Sequence, residues 1–380
     1  MKKILFLLAF AVSVCVLADN VPIKPDGDGS PEKPFLISKI EHLVWMGKNI
    51  EENAGKCYLM TADIDASETK SWNNSRGFLP IGYVNEKEKA YSCFPFRGTF
   101  DGGGHTISNL FIDRKEQPAA LFARIGTPLK KFDFSTNVLE NIARSPKDFA
   151  TVKDLALVNC DFFGKDLAAG LACNIDFALI KRVYVSGVLK SEKNVAGFTM
   201  TCNNSCLEEC EADIEFRNRY CNAAGCFFSS QNTVLKNYLS KGSFQYSADY
   251  YDQSRVSTGY SARTYRKAGR SKKGPDLCTI AILGGGDPYL KNCLVLNSLL
   301  TDRRKSSISL FPRPENVLNS FYSGENVKET LNDNNKIGIS NEKLKRKETY
   351  KDWDFENIWE MEDGADYPKL RNIEKMLKRK

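Results

Sequence analysis

Along much of the chain, apolar and polar positions recur in one short order. An aliphatic residue is followed by two polar residues, a second apolar or weakly polar residue, a variable one and a mostly apolar one. The order is found in Ile107-Ser-Asn-Leu-Phe-Ile112, Val152-Lys-Asp-Leu-Ala-Leu157, Ile180-Lys-Arg-Val-Tyr-Val185, Leu207-Glu-Glu-Cys-Glu-Ala212, Leu235-Lys-Asn-Tyr-Leu-Ser240 and Leu290-Lys-Asn-Cys-Leu-Val295. The copies starting at 152, 180, 207 and 235 lie 28, 27 and 28 residues apart. A second marker keeps the same step: Ala169-Gly170-Leu171, Ala196-Gly197-Phe198 and Ala224-Gly225-Cys226, with Ala119-Ala120-Leu121-Phe122 as an earlier form. Two markers advancing together define a structural repeat.

A unit of 27 or 28 residues is too short for the two-helix repeats, which need about 33 to 47. Its β-type stretches, cut by Gly and Asn, fit about three short strands and three turns. That is one coil of a parallel β-helix. Each strand then pairs with its counterpart about 4.8 Å away in the next coil. Side chains one period apart stack into ladders, and the Ala-Gly marker predicts a crowded corner that accepts only small residues. Two gaps are longer. The 45 residues from 107 to 152 imply an excursion near 127–148, and the 55 residues from 235 to 290 fit either two coils or one coil with a large loop, the loop being preferred because 245–275 has no aliphatic ladder.

A solenoid must close its ends. Ser38-Lys-Ile-Glu41 reads as a capping box, and Ile40, Leu43, Val44, Gly47 and Ile50 share one helical face. Residues 39–51 are therefore expected to form an amphipathic cap helix. Trp353, Phe355, Ile358, Trp359, Tyr367 and Leu370 are bulky apolar residues in a polar region and are expected to cover the last coil. The organisation read this way is 1–18 signal peptide, 19–56 N-terminal cap, 57–325 coils, and 326–380 C-terminal cap with a basic tail.

Several stretches resemble bacterial surface proteins with GLUG-type motifs. They are Gly29-Ser-Pro-Glu-Lys-Pro-Phe-Leu-Ile-Ser38, Ala54 to Asp65, Leu79-Pro-Ile-Gly82, Phe96 to Leu110, Trp353-Asp-Phe-Glu-Asn-Ile-Trp359 and Tyr367-Pro-Lys-Leu370. The middle of the chain departs from that pattern, with Ala-Gly-Leu, Ala-Gly-Phe and Ala-Gly-Cys where Gly-Leu-x-Gly is usual. The resemblance implies an all-β, right-handed parallel β-helix, export, and a surface or adhesive role. It supplies no catalytic residues.

Export also follows from the start of the chain. Lys2 and Lys3 precede the apolar run Ile4–Leu17, and Val16-Leu17-Ala18 offers a cleavage site before Asp19. The expected location is extracellular or at the cell surface, with periplasmic transit or residence as the alternative. No later stretch is apolar and long enough to span a bilayer. Without residues 1–18 the chain carries 52 basic and 47 acidic residues. Residues 251–275 alone hold seven Lys/Arg against one Asp, so the excess is local and argues against a nucleic-acid-binding face.

Candidate chemistry is sparse. Within the insertion, Tyr250, Tyr251, Tyr260, Arg263, Tyr265 and Arg266 form the candidate ligand-binding set, with Tyr246 nearby. Tyrosine offers a flat amphipathic face and arginine a bidentate fork for carboxylate or phosphate. The set suits an acidic glycan, an anionic surface or a cell-surface protein. Glu209, Glu211, Asp213 and Glu215 share a strand face that is either a calcium site or, more simply, a solvated face. Cys202-x3-Cys206-x3-Cys210 has no nearby histidine, and Cys210 falls in a core column, so no metal is expected. Eleven cysteines follow residue 18, an odd number, and export permits their oxidation. Gly102-Gly-Gly-His105 reads as a tight turn between strands rather than a phosphate loop. No cofactor is expected. The alternative to a binding module is a polysaccharide lyase or glycoside hydrolase on the same rod.

Overall fold

The structure, a computed structural model, describes residues 21–83, 93–115, 118–126, 133, 135–218, 222–246, 278–281, 288–301, 306–309, 316–323 and 338–379. The repeat coils are built as the spacing requires. One coil runs through the long strand Ala150–Gly164, the short strand Leu167–Ala169 and the strand Ala172–Asp176, then enters the next long strand, Ala178–Ser191. Each strand pairs in parallel with its equivalent one coil on, so three parallel sheets wrap one interior. The chain is a parallel β-helix.

The ladders are explicit in the register. Phe35, Tyr58, Phe100, Val152, Ile180, Leu207, Leu235, Leu290 and Val317 pair in succession along the long sheet. All but Val317 are at most 3% exposed. Each Val, Leu or Ile so buried contributes about 1.5–3 kcal/mol of transfer free energy. Leu155, Val183, Cys210, Tyr238 and Cys293 form the next inward column and are fully buried. Between the two columns one residue per coil adopts a left-handed backbone: Asp154, Arg182, Glu209, Asn237 and Asn292, with φ of 50–55°. This is the third position of the repeat. It lets two consecutive polar residues face outward before the alternation resumes. Asn and Asp adopt this region at little cost, whereas Arg182 and Glu209 do so under strain.

The corner predicted from the Ala-Gly marker is as crowded as expected. A Cβ on Gly170 would lie 2.2 Å from the Gly197 carbonyl oxygen, and one on Gly197 would lie 2.0 Å from that of Gly225. Asn side chains bridge successive turns, as where Asn159 donates to Asn109 and Asn232 to Asn204.

The 55-residue gap is a single coil step, because Leu235 pairs directly with Leu290 and Ala223 with Ile280. In the first gap, residues 138–148 leave the sheets as the helix Val138–Arg144 and a short 3-10 turn. Val138 packs there with Phe149, Phe177, Cys206 and Val234. The earliest repeat copy needs correction. Ile107 pairs with Leu157, not Val152, whose partner is Phe100. The cause is Gly102-Gly-Gly-His105, which is a bulge inside the strand Thr99–Ser108 and not a turn between strands. Three residues, Gly102–Gly104, stand opposite the single Asp154, and Gly103 and Gly104 have φ of 58° and 75°.

The helix Ile40–Lys48 closes the N-terminal end, burying Ile40, Leu43, Val44, Met46 and Gly47, with Ile50 just beyond it. The capping box is not formed. Lys39 occupies the N-cap without a side-chain bond, and the backbone N–H of Ser38 donates to His42 Nδ1 at 3.2 Å. The imidazole has taken the backbone group, and the Ser38 hydroxyl is not engaged in capping.

The C-terminal region departs furthest from expectation. Gly338–Ile339 adds a strand to Phe321–Ser323. Beyond that strand the chain packs Tyr350 and Trp353 on Phe321 of the last described coils and then continues as a strap running back along the outer face of the long sheet. Trp353 Nε1 donates to the Asn319 carbonyl, Trp359 Nε1 to Asn237 Oδ1, Asn372 to Glu209, and Arg379 to the Gly103 carbonyl. The strap thus passes from the last described coils back to the strand Thr99–Ser108, third in the long sheet. It lies on an outward column of Ala156, Tyr184, Leu239, Leu294 and Phe321, which needs a cover and receives Trp359, Ile373 and Met376.

Candidate functional site

Tyr250, Tyr251, Tyr260, Arg263, Tyr265 and Arg266 all lie outside the described residues, within 247–277. Their flanks are placed. The strand Val234–Tyr246 precedes them and the strand Cys278–Ala281 comes after them, each paired in parallel with neighbouring coils. The signal-peptide reading, residues 1–18, also falls outside the described residues.

Of the acidic run, each member meets a cation. Glu208 and Glu209 share Lys181, Glu208 also faces Lys236 at 3.9 Å, and Glu215 holds Arg217 at 2.6 Å. Glu211 differs from the solvated reading. It lies in the outward column beneath the strap and is 1% exposed. Its Oε1 is 2.7 Å from Lys241 Nζ, while Oε2 has no hydrogen-bond partner. Burial pushes its carboxyl pKa up against the opposing pull of Lys241. Lys241 itself is stripped of water, which favours loss of its proton, but Glu211 and Asp213 outweigh this and hold it charged. Asp213 is 3.3 Å from the same ammonium. Beside them, burial raises the Tyr184 hydroxyl to about 12, opposed by its bond with Ser186.

Lys241 and Asp213 open onto a cleft of about 480 Å³ between the sheet and the strap. The sheet wall is Asp213, Lys241 and Leu296; the strap wall is Asn341, Leu344, Lys345, Asp366 and Tyr367. Lys345 and Asp366 pair across 2.8 Å at the rim. Tyr350 donates its buried hydroxyl to the Leu344 carbonyl and so fixes the strap turn that forms this wall. The sequence carried a signal for this site. The fifth position of each repeat, Ala156, Tyr184, Leu239 and Leu294, is apolar and outward-facing, which demands a covering segment, and Glu211 is the one acid in that column.

The remaining motifs do not converge on chemistry. Cys202 and Cys210 lie in the main interior, whereas Cys206 packs with the excursion helix. Among the described residues no group of three or more His, Cys, Asp or Glu is spaced to hold a metal ion. Cys160, Cys173, Cys202, Cys210, Cys226 and Cys293 are buried, and burial raises the pKa of each thiol. His105 faces Asp63 at 3.2 Å beside the glycine bulge. No helix among the described residues is long and apolar enough to cross a membrane.

No family model matches the chain. The protein named halomucin, from Haloquadratum walsbyi, is 31% identical over 179 residues, covering 47% of this chain. The chain spans only 2% of the length of that relative. Among solved structures, a Bacteroides ovatus protein provisionally called an immunoglobulin A1 protease aligns over 91% of this chain and 94% of its own, at 13% identity and a TM-score of 0.48.

Proposed function

We propose that this chain is an exported β-helix scaffold acting as a binding or adhesion module at the cell surface. In this reading the segment around 245–275 contacts an acidic glycan or another anionic surface. The observation that carries the reading is the unbroken register on either side of that segment, with Leu235 on Leu290 and Ala223 on Ile280. The rod continues through it, so the segment is free to be specialised for contact without loss of the core. Its seven Lys/Arg and its tyrosines fit an anionic, ring-bearing ligand. The apolar start of the chain and the resemblance to GLUG-type surface proteins support export, and the partial likeness to halomucin agrees with an extracellular setting.

The test compares the full mature chain with one lacking residues 248–274, on immobilised acidic and neutral polysaccharides and on intact cells. Retention of acidic glycan by the full chain and its loss on deletion is the expected result. Equal retention by both chains removes the segment as the contact. Release of new reducing ends or unsaturated sugars, with or without Ca²⁺, replaces the scaffold reading with an enzymatic one.

A further inference from the structure

We propose that the cleft between the strap and the long sheet is a second binding site, for a sugar unit of a neutral glycan. It stands whether or not residues 245–275 bind anything. Its volume, about 480 Å³, falls in the range of small-molecule sites.

The centre of the site is Lys241. An ammonium has three donors. One goes to Glu211 at 2.7 Å and one to Asp213 at 3.3 Å, which leaves a third for the cleft. Glu211 is fixed by burial under the strap, so it acts as a positioning residue that holds the lysine without touching ligand. Asp213 is 40% exposed at its side chain and retains acceptor capacity toward the cleft. A donor and an acceptor side by side match the two hydroxyls of a vicinal diol, one accepting from Lys241 and the next donating to Asp213. Because Lys241 is already immobilised, little side-chain entropy is lost on binding. Tyr367 and Leu344, on the opposite wall, supply the apolar face that the C–H side of a sugar ring requires.

Charge decides against the other ligand classes. The lining holds Asp213 and Asp366 against Lys241 and Lys345, and Glu211 behind them makes the total −1. Phosphate, sulfate or a uronate therefore meets no net attraction. A metal ion is disfavoured because the Lys241 ammonium already occupies the point between the two innermost carboxylates.

The experiment titrates the mature chain with cellotetraose, maltotetraose and mannotetraose, and with trigalacturonate as the anionic arm, by calorimetry. At least one neutral oligosaccharide binds. Tyr367→Ala and Asp213→Asn each weaken it about tenfold or more, the worth of one charged hydrogen bond or ring contact. Tyr367→Phe retains binding, and the chain lacking 248–274 binds as the full chain does. Glu211→Gln, which loosens Lys241, weakens binding while circular dichroism shows the β-helix intact. The proposal is overturned if no neutral oligosaccharide binds, if Tyr367→Ala and Asp213→Asn leave the affinity unchanged, if trigalacturonate is preferred, or if deletion of 248–274 abolishes neutral-sugar binding.

Discussion

Replacing Lys241 with methionine tests the buried ion pair that links two adjacent coils beneath the strap. Methionine keeps the length of the stem and removes the charge. Glu211 then stays 1% exposed with no cation: Oε1 loses its contact at 2.7 Å, and Oε2 has no hydrogen-bond partner to begin with. Removing one partner of a buried ion pair costs about 3–5 kcal/mol. Asp213 and, after it, Glu374 on the strap are further acids that raise the Glu211 pKa. The sign with pH is set by Glu211. Its folded pKa lies above the unfolded value, so folding favours the protonated form. The penalty is absent below the ordinary carboxylate range, about 4.3. It grows as pH rises toward the folded pKa, which the substitution raises further. Urea unfolding followed by tryptophan fluorescence at about pH 4 and 7.5 reads both terms. The loss in Lys241→Met should be several kcal/mol at the higher pH and much smaller at the lower. Glu211→Leu combined with Lys241→Met should recover to within about 1 kcal/mol of the parent, since the neighbours Tyr184 and Leu239 are apolar. A single substitution that costs less than about 1 kcal/mol, a loss independent of pH, or a double variant as unstable as the single one refutes this account of the pair.

Three further outcomes are expected from the packing. Trp359→Ala, at a fully buried ring 4.3 Å from Trp353, should cost about 3–5 kcal/mol and expose residues 340–379 to limited proteolysis before the coils are cut. His42 is pushed below its ordinary pKa, first by burial, and its Nδ1 accepts from the Ser38 N–H. The stability of the N-terminal cap is therefore complete above about pH 6.5 and falls as pH drops from there, a dependence that His42→Gln should abolish in hydrogen exchange across residues 36–50. Cys202, Cys210, Cys226 and Cys293, all fully buried and raised in pKa, should resist maleimide at pH 8 in the native chain and react in urea.

The coil was legible because its physics is periodic. Val152, Ile180, Leu207 and Leu235 must be apolar for the same reason, and Gly170 and Gly197 must lack a Cβ for the same reason, so the period appears in the letters. What breaks the period was harder to read. Gly102–Gly104 adds two residues to one strand, and the earliest copy was displaced because a bulge leaves no mark in an apolar pattern. The bulky residues Trp353, Trp359 and Leu370 announce burial but not the surface that buries them. The end of a rod and its side are equally apolar invitations, and only the outward fifth position of each repeat distinguishes them. The capping box failed because His42 Nδ1, not the Glu41 carboxylate, receives the Ser38 N–H. The Lys241–Glu211 pair joins residues two positions out of register in adjacent coils, and no single-coil reading brings them together.

Residues one coil apart sit directly on one another, even across the long excursion. Lys236 and Lys291 are 55 residues apart in sequence and are register partners on the outer face of the long sheet. Adjacent strands lie about 4.8 Å apart, within the range a disulfide spans. In a chain carrying Lys236→Cys and Lys291→Cys, mild oxidation followed by peptide mass spectrometry should find these two positions linked. Pairing Glu208→Cys with Lys291→Cys, two coils apart, should give no link. Absence of the 236–291 bond, or equal linkage of the 208–291 pair, contradicts the stacked coil.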